Sequence, residues 1–165
     1  LDVLLDAGKL LDGLPIKIVL MGTGSERESL IERAKTENIS TVLFLPAVNK
    51  LEVGAVLKAA DILYIGIRKL KLIQLFGISA NKIFDYMLAA RPIISAVSAG
   101  NDPIKEANCG YSVEAENARE IADAIKKMIA LSDSELNRLG ENGYRYVRDN
   151  HDYRVLARRF AEALG

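Results

Sequence analysis

Residues 76–94, with the sequence FGISANKIFDYMLAARPII, predict a helix that leads directly into a buried strand. Ser79 is a good N-cap, because its hydroxyl can accept hydrogen bonds from the free N–H groups of the first helical turn. Apolar residues recur at helical spacing over 83–90, which indicates that one face of this helix is buried. Arg91-Pro92 ends the helix, because proline disfavours helical backbone at the residue before it. An apolar strand follows.

The start of this helix carries polar residues that helix stability alone does not favour. Asn81, Lys82 and Asp85 occupy its first two turns, and a lysine there opposes the positive end of the helix dipole. This misfit predicts an anion nearby. Alternatively, Lys82 and Asp85 form only a surface ion pair, worth a few tenths of a kcal/mol, because they lie three residues apart on one helical face. Spacing alone favours the ion pair.

Strand and helix patterns alternate along the whole chain. Short apolar runs predict strands at 16–22, 41–46, 61–67, 92–97 and 110–113. Helical patterns cover 1–11, 26–36, 50–60, 79–90, 102–108, 118–131, 133–150 and 154–164. In the helix at 50–60, the residues expected to face the core are Leu51, Val53, Val56 and Leu57. This alternation predicts an α/β fold: a single-domain, Rossmann-like doubly wound parallel sheet with helices on both faces.

Composition excludes several classes of protein. The 22 basic and 22 acidic residues cancel, whereas nucleic-acid binding usually needs a strongly basic face. Cys109 is the only cysteine, so we expect no internal disulfide, a reducing compartment and a buried, unreactive thiol. No apolar run approaches the roughly 18 residues of a membrane span. The chain opens in what resembles the second half of an amphipathic helix, without a starting Met, and we expect it to be part of a longer protein.

The turn after the first predicted strand is a candidate phosphate site. Gly22 and Gly24 let the backbone pass close to a ligand, and the following helix offers free N–H groups. The dinucleotide fingerprint needs a third glycine where this chain has Arg27, and no acid ends the second strand, so an NAD(P) site is disfavoured. Phosphate binding and a purely geometric tight turn both remain open.

The remaining polar residues give no catalytic constellation. His151, the only histidine, has no Cys or second His partner, so we predict no metal site and no Ser-His-Asp arrangement. The loop at 66–78 carries Arg68, Lys69 and Lys71 beside apolar residues. It is a lid over a charged ligand, a surface against another domain, or a solvated basic loop. We therefore expect a binding domain that does not catalyse by itself.

Four segments together carry a resemblance to a known family. Residues 16–34, 41–65, 76–102 and 109–113 resemble the C-terminal donor-binding domain of retaining GT-B glycosyltransferases of the group 1 family. The specific part is SANKIFDYM at 79–87, which is similar to the SPNK(L/I)F(D/E)YM motif of bacterial enzymes that build surface polysaccharide from nucleotide-activated amino sugars. The resemblance covers essentially the whole chain.

The resemblance implies a donor site at matching positions. The implied donor-binding residues are Gly22, Gly24, Ser79, Asn81, Lys82 and Asp85. The two glycines would lie against the diphosphate, Asn81 and Lys82 near the sugar and pyrophosphate, and Asp85 against the ribose hydroxyls. The base would lie near 46–48, and Asp102 could border the pocket. Catalytic residues are not assigned.

Two positions depart from the family pattern. The Glu-x7-Glu pattern of the family would place its first glutamate at Gly77, and Asp85 replaces the second with a shorter acid. We therefore expect the SANK residues to take over part of the sugar recognition.

The implied function is the donor half of a retaining glycosyltransferase in polysaccharide biosynthesis. It would move a hexosyl or N-acetylhexosaminyl group from a nucleotide-sugar, with UDP-sugar favoured, to a glycan or lipid-linked acceptor. Residues 1–165 would be the donor domain, with the N-terminal acceptor domain absent. The resemblance implies no metal and no cofactor, since the nucleotide-sugar is a substrate. It also implies a bacterial cytoplasmic enzyme, often peripheral on the inner membrane face. The alternatives are half of a nucleotide-sugar 2-epimerase and a non-catalytic interaction module with a degenerate nucleotide site.

Overall fold

In a computed structural model, which describes residues 1–165, five parallel strands lie among nine helices. The strands are β1 (Ile18–Met21), β2 (Val42–Leu45), β3 (Leu63–Gly66), β4 (Ile93–Ala96) and β5 (Gly110–Val113). The helices are α1 (Asp2–Lys9), α2 (Arg27–Thr36), α3 (Val53–Ala59), α4 (Lys71–Phe76), α5 (Asn81–Leu88), α6 (Pro103–Glu106), α7 (Ala118–Ile129), α8 (Asp133–His151) and α9 (Tyr153–Leu164). All five predicted strands are confirmed, four of them in shorter form. Helix α4 was not predicted, because the sequence pattern at 66–78 indicates only a loop.

The strands form two hydrogen-bonded groups. One contains β1 and β2, and the other contains β3, β4 and β5 in that order. Every pair is parallel. Strand β4, at the centre of the second group, is buried along its whole length, as an apolar strand covered on both faces should be.

Helices cover both faces of β4, and its side chains alternate between two cores. Ile94 and Ala96 pack in a cluster with residues of α1 and α7. Ile93 packs on the opposite face in a cluster with residues of α5 and α8. The predicted α/β class, a single domain of parallel strands flanked by helices, is therefore confirmed.

Helix α1 shows that the two groups of strands have the same direction. Its first residues line a cavity with Gly66 and Ile67, at the carboxyl end of β3. Its far end lies at the amino end of β2, where the Thr41 hydroxyl donates to the Gly8 carbonyl at 2.8 Å. A helix antiparallel to both β2 and β3 requires that these strands be parallel to each other. All five strands thus end at one edge, here called the carboxyl edge.

The predicted inward face of α3 is confirmed only in part: Val56 and Leu57 are half-buried, and Leu57 packs against the cluster that contains Ile83. Leu51 is 95 % exposed, Val53 is also exposed, and no residue of α3 is buried. Leu51 precedes α3, which begins at Val53, so the helical pattern at 50–60 starts earlier than the helix does. An amphipathic pattern predicts which side of a helix is apolar, but it cannot supply the surface that covers it.

Two local expectations are confirmed. Ser132 caps α8 with a capping box, in which its side chain accepts from the Glu135 N–H and the Glu135 side chain accepts from the Ser132 N–H. Cys109 is free and buried, and burial raises the pKa of its thiol to about 12. His151 stacks on Phe84, with ring centroids 4.3 Å apart, at the junction of α8 and α9.

Candidate anion site at the carboxyl edge

The predicted site residues lie at the carboxyl edge in two segments. Gly22 and Gly24 follow β1 directly. The start of α5 reaches the same edge, because Ile78, just before α5, hydrogen-bonds to Asn101, just after β4. The glycine turn and Lys82 therefore lie at the same edge of the sheet.

The turn after β1 offers free backbone donors, although Gly22 is not one of them. The Gly22 N–H donates to the Leu45 carbonyl at 3.3 Å and extends the ladder between β1 and β2. The N–H groups of residues 23–26 have no acceptor within the chain. Gly22 has a φ of +146°, which favours glycine, and open space lies beside both Gly22 and Gly24. The turn can therefore receive a ligand against its backbone.

The predicted N-cap at Ser79 is wrong. Helix α5 begins at Asn81, its N-cap position is Ala80, and no side chain caps the first turn. Ser79 is exposed, and its hydroxyl makes no hydrogen bond within the chain. The sequence pattern placed the helix start one residue early. As a consequence, the N–H groups of Asn81 and Lys82 have no acceptor and point to solvent at the positive end of the helix dipole.

Lys82 and Asp85 do not form the ion pair that spacing alone favours. Both side chains are exposed, and neither takes part in any of the salt bridges of the chain. The Lys82 ammonium is therefore free, beside two uncapped amides. An anion at this helix start would meet three uncommitted donors.

Two hydrogen bonds from Lys69 hold the beginning of the segment between β3 and α5 in place. The Lys69 ammonium donates to Glu114 at 2.6 Å, and the Lys69 N–H donates to Glu116 at 3.1 Å. The Glu114 carboxylate raises the pKa of Lys69. Arg68 and Lys71 remain as the exposed cations of this segment without an ion pair.

Asn101 is a site residue that sequence reasoning missed. Its carboxamide makes two hydrogen bonds to the Ile78 backbone, accepting from the N–H at 2.6 Å and donating to the carbonyl at 3.0 Å. Gly77 has a φ of +80°, and a Cβ there would clash with Oδ1 of Asn101. A side chain at residue 77, where the resemblance predicts an acid, would therefore collide with Asn101. The segment SAGND at 98–102 was recognised as a strand-end loop, but only Asp102 was singled out in it.

The Asp102 side chain stabilises the start of α6. Its Oδ1 caps α6 by accepting from the Lys105 N–H at 3.0 Å, and it also accepts from the Ser112 hydroxyl at 2.8 Å. At the carboxyl end of β2, Pro46 and Ala47 are exposed, and Val48 is half-buried. That segment offers an open apolar surface at the same edge.

The carboxyl edge carries two groups of donors that are suited to anions. It provides two sets of free backbone amides, after β1 and at the start of α5, and one unpaired ammonium. Such donors bind phosphate groups and stabilise negative charge that develops on them. No helix of the chain is both long enough and apolar enough to cross a bilayer.

Comparison with known proteins gives one family. The family model described as "Glycosyl transferases group 1" matches residues 1–146. No curated protein sequence matches this chain.

Solved structures share the fold at low sequence identity. The C-terminal domain of the group 1 glycosyl transferase LpcC from Francisella tularensis superposes with a TM-score of 0.70 and 20% identity, over 92% of this chain and 78% of that one. Anabaena Alr3699/HepE in complex with UDP-glucose superposes with a TM-score of 0.73 and 18% identity, over 99% of this chain and 44% of that one. WaaG, a glycosyltransferase involved in lipopolysaccharide biosynthesis, superposes with a TM-score of 0.67 and 18% identity, over 96% of this chain and 41% of that one. This chain thus spans less than half of HepE and of WaaG.

Proposed function

Because this chain belongs to the group 1 glycosyl transferase family, we propose that it is the donor-binding half of a glycosyltransferase and holds a nucleotide-sugar at the carboxyl edge. The observation that carries the proposal is the unpaired Lys82 ammonium beside uncapped amides, at the same edge as the free amides of residues 23–26. A diphosphate has two phosphate groups, and each set of donors would bind one of them. The HepE structure with UDP-glucose supports a UDP-sugar as the donor.

The proposed chemistry is electrostatic. When the bond between the sugar and the diphosphate breaks, negative charge builds up on the leaving diphosphate. Fixed N–H donors and the Lys82 ammonium stabilise that charge more strongly than they stabilise the intact donor. The anomeric configuration would be retained, and the transferred group would be hexosyl or N-acetylhexosaminyl.

The remaining site residues have proposed roles in recognition. Asp85, exposed and unpaired, has two carboxylate oxygens that suit the two vicinal hydroxyls of a ribose. Ser79 and Asn81 would contact the sugar. Residues 46–48 would flank the base. The acceptor, a glycan or a lipid-linked sugar in polysaccharide biosynthesis, would bind mainly to an N-terminal domain, and the lipopolysaccharide role of WaaG supports this direction.

Calorimetric titration of the chain with UDP, GDP and UDP-N-acetylglucosamine tests the donor site. We expect UDP and its sugar to bind, and Lys82→Gln to weaken UDP binding about 10- to 100-fold, since hydrogen bonds to charged groups contribute about 1.5–3 kcal/mol. Lys126→Gln is the matched control, because Lys126 is an exposed lysine on α7 without an ion pair. A folded chain that binds none of the three ligands would favour an interaction module, and equal affinities of the two variants would exclude Lys82 from the site.

A second titration tests the ribose contact. Asp85→Asn should weaken binding of UDP more than binding of 2′-deoxy-UDP, because the deoxy ligand keeps only one of the two hydroxyls from which the carboxylate would accept. Asp123→Asn, an exposed acid on α7, serves as control. If Asp85→Asn weakens both ligands equally, the carboxylate does not recognise the ribose.

A further inference from the structure

Helix α4 presents an apolar face to solvent. Leu72, Leu75 and Phe76 are 70%, 74% and 83% exposed. Spacings of three and four residues put their side chains on the same side of the helix. Ile73 is the only residue of α4 that is even half-buried. A dense group of exposed apolar side chains marks a surface that contacts another molecule or a membrane.

Hydrogen bonds hold α4 in place on both sides. Before the helix, Lys69 donates to Glu114 and to Glu116. Within the helix, the Ile73 carbonyl accepts from the Gly100 N–H at 3.1 Å. The partners of these bonds follow β4 and β5, so α4 is fixed at the carboxyl edge. A lid that moves over a ligand would have to break these bonds, and the structure therefore favours a fixed docking surface.

Positive charge borders the apolar face of α4. The chain has no acidic residue between Asp61 and Asp85. In this interval, Arg68 and Lys71 are exposed and form no ion pair. Lys71 lies four residues before Leu75 and is therefore its neighbour on the helix. Leu and Phe beside Lys and Arg are typical of helices that lie in the interface of an anionic membrane.

We propose that α4 docks on the surface of a membrane that contains anionic lipids. Leu72, Leu75 and Phe76 would enter the boundary of the acyl chains, and Arg68 and Lys71 would contact the headgroups; these five residues are here called the α4 patch. Side chains exposed by more than two thirds project from the protein and do not line a groove. A fluid bilayer accepts such side chains without a matching cavity, whereas a folded partner would need one.

The proposal goes beyond the proposed donor site and does not rest on it. Only residues 77–80 separate α4 from α5, so membrane contact through the α4 patch would hold the carboxyl edge near the headgroups. Together with the proposed function, this contact would bring the donor close to a lipid-linked acceptor. Three apolar side chains and two cations form a small anchor, and we expect reversible binding.

Sedimentation of the chain with lipid vesicles tests the charge of the α4 patch. We expect binding to phosphatidylcholine vesicles that contain phosphatidylglycerol, and at least about tenfold weaker binding without it, since each Lys or Arg near an anionic surface contributes about fivefold. Arg68→Gln/Lys71→Gln should weaken binding to the anionic vesicles by a similar factor. Lys126→Gln/Lys127→Gln, on the exposed side of α7, is the matched control. A folded chain that binds neither vesicle, or equal losses in the two variants, would overturn the proposal.

A second pair of variants tests the apolar part of the α4 patch. Leu75→Ser/Phe76→Ser should weaken binding to anionic vesicles at least about tenfold. Phe160→Ser/Leu164→Ser, on α9, is the control, because these side chains are also exposed, by 67% and 73%. An equal or larger loss in the α9 variant would overturn the assignment to α4. UDP titration of Leu75→Ser/Phe76→Ser should give the affinity of the parent chain, so failure of membrane docking and failure of the donor site are distinguishable.

Tryptophan fluorescence reports insertion directly, because the chain has no tryptophan of its own. In Phe76→Trp, anionic vesicles should shift the emission to shorter wavelength, and lipids with brominated acyl chains should quench it. Phe160→Trp is the control and should show neither effect. An unquenched Phe76→Trp in the vesicle-bound chain would overturn the proposal. So would a blue-shifted emission that vesicles do not change in the longer protein of which we expect this chain to be part, because another domain would then cover α4.

Discussion

Asn101 holds Ile78 by both backbone groups, with its Oδ1 2.6 Å from the Ile78 nitrogen and its Nδ2 3.0 Å from the Ile78 oxygen. This pair joins the loop after β4 to the segment that leads into α5. It therefore sets where the uncapped start of α5, with Lys82, lies at the carboxyl edge. A second tie acts beside it, since the Gly100 N–H donates to the Ile73 carbonyl at 3.1 Å.

Replacing Asn101 should loosen the donor site more than it destabilises the fold. Asn101→Ala removes two hydrogen bonds of about 0.5–1.5 kcal/mol each, on an exposed segment. We expect a melting temperature lower by a few degrees and about tenfold weaker UDP binding, since the ligand must order the segment again. Asn137→Ala, on the exposed face of α8, is the control and should change neither quantity. Unchanged UDP affinity of Asn101→Ala would show that the hydrogen bonds between Asn101 and Ile78 do not position the start of α5 for UDP.

Gly77 should not tolerate a side chain. A φ of +80° with ψ of −171° is a conformation nearly confined to glycine, and strain there costs about 1–3 kcal/mol. Gly77→Ala should therefore lower the melting temperature, and Gly77→Glu, which introduces the acid that the resemblance predicts at this position, should not tighten binding of UDP-N-acetylglucosamine. Tighter binding by Gly77→Glu would mean that the segment can rearrange to present a side chain.

A double mutant separates the two causes of that strain. Asn101→Ala removes the atom with which a Cβ at residue 77 would clash, but it leaves the backbone conformation unchanged. The loss of stability in Gly77→Ala/Asn101→Ala should therefore be smaller than the sum of the single losses. Additive losses would indicate that backbone strain alone excludes the side chain.

Gly140 should be required for the contact between α8 and the turn before β4. It is buried, and a Cβ at this position would overlap the carbonyl of Ala90. Gly140→Ala should destabilise the protein by about 1–3 kcal/mol in thermal denaturation, although alanine is the better helix former. Gly54→Ala in α3 is the opposite control, because its Cβ would meet open space, and it should stabilise by about 0.5–1 kcal/mol. Equal effects of the two substitutions would contradict the packing argument.

Glu37 should make stability depend on acid pH. Its carboxylate lies 2.5 Å from the Lys9 ammonium and 3.0 Å from Arg33 Nε. The hydrogen bond from Lys9, followed by that from Arg33, lowers the pKa of Glu37 below its ordinary value of 4.5. A lowered folded-state pKa contributes stability above the unfolded-state value, and this contribution is lost as pH falls through the folded-state pKa.

Melting curves across pH check this linkage. At neutral pH, Glu37→Gln should melt at a lower temperature than the parent chain, and the difference should shrink as pH falls below 4.5. Glu32→Gln, on the exposed side of α2 and outside any ion pair, should show no such trend. A difference between Glu37→Gln and the parent that persists in acid would mean that packing, not charge, explains the effect.

Local sequence signals predicted much of the fold because they act over a few residues. The five apolar runs form strands, Ser132 caps α8, and the Cys109 thiol is buried, all as predicted. Helix α4 and the start of α5 were missed or misplaced. The segment around α4 is held by Glu114, Glu116 and Asn101, which lie more than 20 residues away in the chain. Local propensity carries no information about such partners.

The features of the candidate site also fall into two groups, those that the local sequence predicts and those that depend on contacts between distant residues. The sequence by itself determined the alternating α/β order, the glycine turn after the first strand, and a lysine at a helix start where the dipole does not favour it. Only the tertiary structure decided that the Gly22 amide is already bonded, that Lys82 and Asp85 form no ion pair, that Asn101 fixes Ile78, and that no hydrogen bond joins β1 to β3. The physical reason is that spacing along the chain determines which groups could meet. Packing between distant segments then decides which of these groups hydrogen-bond to each other and which remain free for a ligand.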